Sequence, residues 1–149
     1  MTDRHIQVNT TTRFCFKENS LPKPKFGHGI ATCGTQIIIT SGVSELSVDM
    51  GMRSVPIADA DCHAFDIYTK QWQALPDLPI GKMHPVLQVI NNRFVFQIGG
   101  FDDYDYDIYR LDMARPDLPW QTLSLDTREP IVDNLLYQET RSYLLQLQE

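Results

Sequence analysis

The sequence predicts an all-β chain built from repeated four-stranded antiparallel units. Two observations carry this. Its apolar stretches are short, rich in β-branched and aromatic residues, and bounded by Gly, Pro, Asn or Asp. Its landmarks also recur in one fixed order: a Leu-Pro-x-x-Lys loop, an apolar strand closing on glycine, a strand bearing aspartate, and a tryptophan. The best-marked stretch is Asn91-Asn92-Arg93-Phe94-Val95-Phe96-Gln97-Ile98-Gly99-Gly100, a polar turn and apolar strand that stops at a double glycine.

Taken in order, residues 1–12 are polar and patternless and read as a disordered N-terminal segment. Arg13-Phe14-Cys15-Phe16 alternates like a short strand. After the loop Leu21-Pro22-Lys23-Pro24-Lys25, His28 to Cys33 and Gln36 to Thr40 read as a hairpin around Gly34-Thr35. Three consecutive isoleucines in the second strand suit burial on both faces. Residues 43–61 show no period and read as a long loop, of the kind that tends to be functional or disordered. His63 to Tyr68 and Trp72 to Leu75 supply the third and fourth strands.

The pattern then restarts. Leu78-Pro79-Ile80-Gly81-Lys82 repeats the first loop. His84 to Ile90, Arg93 to Ile98, Asp107 to Asp112 and Trp120 to Leu125 repeat the four strands. Gly42 is answered by Gly99, Asp66 by Asp112 and Trp72 by Trp120, at unequal spacings. The order holds while loop lengths vary, as in repeat architectures. His28 and His84 read as equivalent positions of the two units. Ser142 to Glu149 lines up with Arg93 to Gly100, and Leu135-Leu136-Tyr137 with the strand before it, so residues 131–149 read as a partial third unit. Leucine, glutamine and glutamate also favour helix, so a helix over 133–148 stands as the rival reading.

Composition narrows the function. The formal net charge of -6 opposes general nucleic-acid binding, which needs a basic face, and favours a basic protein partner. Cys15, Cys33 and Cys62 are odd in number and irregularly spaced, unlike a disulfide framework. The N-terminus lacks the apolar core of a signal peptide, and no run reaches the roughly 18 apolar residues of a membrane span. The expectation is a cytoplasmic protein without a membrane segment.

The repeat resembles the kelch repeat, the blade of a kelch-type β-propeller. The second unit carries the resemblance best, through Lys82, His84, Gly99-Gly100, Tyr109 and Trp120. The first carries it through Lys25, His28, Gly42 and Trp72, with Ser41 in place of a glycine. The resemblance implies a partial kelch-type β-propeller over residues 13–149. It has about two complete four-stranded antiparallel blades, roughly 25–77 and 82–125, and partial blades at both ends. Open ends expose strand edges, which favours self-association.

The resemblance also implies a protein–protein interaction module whose loops after the second strands, 43–61 and 100–106, share one face. The richest stretch there is Phe101-Asp102-Asp103-Tyr104-Asp105-Tyr106-Asp107. Asp102, Asp103, Tyr104, Asp105 and Tyr106 are the candidate partner-binding residues, with tyrosines as anchors and aspartates facing a basic partner. The bland alternative is a solvated strand edge guarded by charge. Asp103, Asp105 and Asp107 fit the start of a calcium loop. Ile108 stands where that loop needs glycine and Ala114 where it needs glutamate, so no metal site is expected. No phosphate loop or nucleophile motif occurs, and neither catalysis nor a cofactor is expected. A purely structural piece that completes or assembles with other blades is the second reading.

Overall fold

The computed structural model describes residues 5–8, 10, 11, 13, 15–48, 54–101 and 107–123. Residues 131–149, with their strand or helix readings, and the stretch 102–106 lie outside the described residues. The described chain is all β, with no helix.

Its centre is a pair of four-stranded antiparallel sheets. In the first, β3 (Gly29–Cys33), β4 (Gln36–Thr40), β7 (Cys62–Asp66) and β8 (Gln71–Leu75) lie in that order. In the second, β9 (Val86–Ile90), β10 (Phe94–Ile98), β11 (Ile108–Asp112) and β12 (Gln121–Leu123) do the same. Two two-stranded ribbons flank them: β1 (Ile6–Val8) with β2 (Cys15–Lys17), and β5 (Val43–Val48) with β6 (Ser54–Ala58).

The pairing fixes the repeat register. Gln36 pairs with Asp66 in the first sheet and Phe94 with Asp112 in the second. Each aspartate accepts turn amides: Asp66 Oδ1 from Tyr68 and Thr69, Asp112 Oδ1 from Ala114. The aspartate landmark is therefore a turn device. Phe26 bridges Val43, and Met83 bridges Phe101. Between bridge and strand the backbone takes the same path twice, with φ of 58° and 88° at Ser41 and Gly42 and 61° and 98° at Gly99 and Gly100. Gly42 is thus the counterpart of Gly100, and Ser41 of Gly99. The turn Asn91-Asn92-Arg93 is longer by one position than its counterpart Gly34-Thr35. That insertion sets Gly100 correspondingly later after Lys82 than Gly42 is after Lys25.

The same register corrects two expectations: Gly42 answers to Gly100 rather than to Gly99, and the two histidines are not equivalent. Bridge partners Phe26 and Met83 are equivalent, so His84 (φ 57°) answers to Gly27 (φ 62°), not to His28. His84 is exposed on one side of the bridge, and its amide donates to the Gly27 carbonyl at 2.6 Å, whereas His28 belongs to the position after it.

The N-terminal stretch, expected to be disordered through residue 12, contributes β1. Ile6 pairs with Lys17, and the Glu18 amide donates to the His5 carbonyl at 2.9 Å. The ribbon copies β7 and β8 in the same register. His5 faces Glu18 as Cys62 faces Leu75, and Arg13 and Lys70 hold the two turns with φ of 61° and 60°. Ile6-Gln7-Val8 is too short to show a period against its polar neighbours.

Half-unit, first sheet and second sheet stack in chain order. Cys33, Ile38, Cys62, Ala64, Leu75 and Leu78 pack against Val95, Tyr109, Leu111 and Trp120 between the sheets. On the other face of the first sheet, His5 meets the Phe65 ring edge-on at 4.5 Å and lies 5.8 Å from Trp72. Phe65 pairs with Trp72, and Leu111 reaches Trp120 in the same relation, so each tryptophan fills the space before its own sheet. Each indole also donates to an equivalent carbonyl, Trp72 to Asn19 at 3.0 Å and Trp120 to Pro76 at 2.8 Å. The two acceptors stand equally far before Lys25 and Lys82 in the chain. The first strands, β3 and β9, approach each other across the stack.

Candidate interaction face

Strand direction sends the segments after β4 and β10 out at the same end of the stack. Val43 and Phe101 leave from equivalent bridges, and the backbone of Lys82 lies between them. The Gly42 amide donates to the Lys82 carbonyl at 3.0 Å, and the Lys82 amide donates to Ser41 Oγ at 3.2 Å. Gln97 Nε2 donates to the same Ser41 Oγ at 3.2 Å, while Thr40 Oγ1 donates to Gln97 Oε1. Thr40, Ser41, Gln97, Lys25 and Lys82 are all buried. Burial of so many polar groups is tolerable because they bond one another. This polar layer fixes the spacing of the two exit points.

The two lysines of the Leu-Pro-x-x-Lys loops are its posts. Lys25 Nζ donates to the Ser41 carbonyl at 3.1 Å and to Asp61 Oδ1 at 2.5 Å. Lys82 Nζ donates to the Asp107 carbonyl at 3.1 Å and lies 5.1 Å from the Tyr109 ring centre. Asp61 and Asp107 are equivalent positions, each immediately before the strand that ends in Asp66 or Asp112. Asp107, last of the acidic stretch, is thus engaged at the base of the face.

The segment 43–61 is not a plain loop. Its β5–β6 hairpin carries a bulge between Val43 and Glu45. Leu46, Val55 and Ile57 are each 41–50% exposed on it. Pro56 hid this hairpin in the sequence, since proline argues against a strand unless the strand is an edge. Val55 and Ile57 were the legible signal.

Beside the hairpin runs a row of charges. Lys23 Nζ donates to Asp59 Oδ1 at 3.0 Å, and Lys25 joins Asp59 to Asp61. His63 Nδ1 lies 3.6 Å from Asp61 Oδ2. Burial pushes the Asp59 carboxyl up, but Ser44, Lys23 and Lys25 together outweigh it and hold the group below its ordinary 3.8. Burial, reinforced by the Lys25 charge, holds both His28 and His63 below the ordinary 6.5; Asp61 and Asp77 oppose this at His63.

The signs give a pH profile. Below 6.5 the unfolded chain protonates its histidines while the folded chain resists, so stability is full above 6.5 and falls as pH drops below it. Asp59 adds a second fall once pH drops below 3.8. Urea unfolding at about pH 7.5 and about pH 5.5 should show the first loss, and His28→Gln with His63→Gln should shrink it. Equal pH dependence in wild type and double variant would contradict the assignment.

Of the predicted partner-binding residues, Asp102, Asp103, Tyr104, Asp105 and Tyr106 lie outside the described residues. Their flanks are described: Phe101 is 61% exposed at its bridge, and Asp107 is partly buried beside Lys82. Among the described residues, no group of three or more His, Cys, Asp or Glu side chains is arranged to hold a metal ion. No described helix is long and apolar enough to cross a membrane. No protein-family model and no curated protein matches the chain.

Proposed function

We propose that the chain is a protein-interaction module of the kelch type, a partial β-propeller that binds a basic protein partner and catalyses no reaction. One observation carries this reading: the repeated register that brings the segments after β4 and β10 out side by side over a buried, hydrogen-bonded polar layer. On one side stands a hairpin with exposed Leu46, Val55 and Ile57. The sequence that follows Phe101 is Asp102-Asp103-Tyr104-Asp105-Tyr106, whose tyrosines suit anchoring and whose aspartates suit steering of a basic partner. The net charge of -6 complements such a partner. The module acts in the cytoplasm.

The test is capture of proteins from cell lysate by the wild type and by an Asp103→Asn/Asp105→Asn variant, with Tyr104→Ala as a second variant. Asp107 is left intact because Lys82 bonds its carbonyl. Each variant should bind the recovered partner about tenfold more weakly, and the aspartate variant should lose most of the salt dependence. An unchanged set of captured proteins and unchanged affinity would remove the acidic face from the site.

Among the described residues the half-unit β1–β2 has the form of the outer two strands of a unit, which favours a second reading, a structural piece that completes or assembles with other blades.

A further inference from the structure

We infer that the end of the stack opposite the candidate interaction face is a second docking surface, built on Arg93, Arg110 and Arg115 for an acidic segment of a partner protein. The inference goes beyond the proposed function and uses none of the residues assigned to it.

That end is a continuous rim of turns. The Ile67 amide donates to the Thr35 carbonyl at 3.0 Å, and the Gly34 amide donates to Asn92 Oδ1 at 2.5 Å. The Met113 amide donates to the Arg93 carbonyl at 2.9 Å. The turns after β3 and β7 of the first sheet are thereby joined to those after β9 and β11 of the second.

The internal repeat supplies the control. Gln36 pairs with Asp66 and Phe94 with Asp112, so Thr35 answers to Arg93. Ile38 pairs with Ala64 and Phe96 with Arg110, so Ala64 answers to Arg110. The third residue after each aspartate is Thr69 in one unit and Arg115 in the other. In the first unit Thr35 Oγ1 donates to Asp66 Oδ2 at 3.4 Å, and Asp66 Oδ1 accepts the Tyr68 and Thr69 amides. A hydroxyl and two amides therefore close that turn without a guanidinium. The three arginines of the second unit exceed what the fold of a unit demands.

The guanidiniums are also set in place. Arg93 grips Asp112 through Nε at 2.7 Å and Nη2 at 2.6 Å, and lies 4.7 Å from the centre of the Phe94 ring. Arg110 lies 5.2 Å from the same ring and donates through Nε to Gln121 Oε1 at 3.1 Å. Arg115 Nε lies 3.9 Å from Asp112 Oδ2. The Arg93 and Arg115 side chains are nevertheless 49% and 64% exposed. Guanidinium forks already held in position suit carboxylates and lose little freedom on binding them. Three guanidiniums stand against Asp112 and, farther along the turn, Asp117, in a chain whose net charge is -6. The sign is reversed locally, so the partner that complements this rim is acidic.

The test transplants residues of the first unit into the second. Arg93→Thr with Arg115→Thr copies Thr35 and Thr69 and should leave urea unfolding close to that of the wild type. The probe is a fluorescein-labelled hexaglutamate peptide, followed by anisotropy in about 50 mM salt. It should bind the wild type, and bind the threonine variant about tenfold more weakly, roughly the loss of two exposed ion pairs. The Asp103→Asn/Asp105→Asn variant should bind it no more weakly than the wild type. Absence of hexaglutamate binding to the wild type overturns the inference, as does equal binding to a folded threonine variant. If the threonine variant does not fold, Arg110→Gln with Arg115→Gln decides by the same readout, because it leaves the Arg93–Asp112 pair intact. Failure of hexaglutamate binding alone overturns this surface and leaves the proposed function standing, and failure of partner capture through the acidic face alone does the reverse.

Discussion

Replacing Trp120 by alanine is expected to destabilise the chain by about 3–5 kcal/mol, the range for a buried aromatic truncated in a packed core. Trp120 is 5% exposed between the sheets, among Leu78, Val95, Tyr109 and Leu111. The substitution removes the indole that fills this space and leaves the Pro76 carbonyl without its donor. Trp120→Phe keeps most of the apolar contact but not the hydrogen bond, and should cost about 1–3 kcal/mol. Trp72 has the same place in the repeat but packs on the half-unit and is only partly buried, so Trp72→Ala should cost roughly 2 kcal/mol. Urea unfolding followed by circular dichroism would rank the three. Equal losses for the two alanine variants would show that the half-unit packs as tightly as the sheet pair.

The second large effect is expected at Gly81. A Cβ there would lie 2.4 Å from the Asp59 carbonyl oxygen and 2.5 Å from that of Ala58. These are backbone atoms at the foot of the β5–β6 hairpin, so relief requires moving the hairpin or the Leu-Pro-x-x-Lys loop. Gly81→Ala should cost about 3 kcal/mol, the upper end for overpacking. Gly99→Ala is the contrast: nothing lies within 4 Å of the added carbon, and only the left-handed φ of 61° is penalised, by about 1 kcal/mol. Thermal unfolding of both variants would check the order. A smaller loss at Gly81 than at Gly99 would mean that the hairpin yields freely. The conspicuous double glycine is thus partly replaceable, as Ser41 in the place of Gly99 already suggests, while the inconspicuous Gly81 is not.

Much of the fold was legible because the repeat is written in residues with strong local meaning. Isoleucine runs, turn asparagines and the tryptophans placed all eight strands of the two sheets to within a few residues. What escaped carried no clear period of its own or depended on partners distant in sequence. Ile6-Gln7-Val8 becomes a strand because the chain around Lys17 pairs with it. Ser54 to Ala58 pairs across Pro56 because it forms an edge. The polar layer was invisible because its partners are distant in sequence. Lys25 and Asp61, like Thr40 and Gln97, are far apart in the chain, and no local pattern marks a serine whose hydroxyl serves two neighbours. The acidic stretch was the most conspicuous functional signal, and at its described end the Asp107 backbone carbonyl accepts from Lys82.

The tryptophan hydrogen bonds also give folding a direction. Each indole bonds a carbonyl that precedes its own sheet, Trp72 that of Asn19 and Trp120 that of Pro76. Each sheet is a sequential meander of local pairings, which form quickly. A newly made sheet therefore docks onto the surface that the preceding stretch of chain presents, and the second sheet then closes over the inner face of the first. In an array of this kind each tryptophan contact is supplied in chain order, the indole of one unit seated on a carbonyl that precedes it.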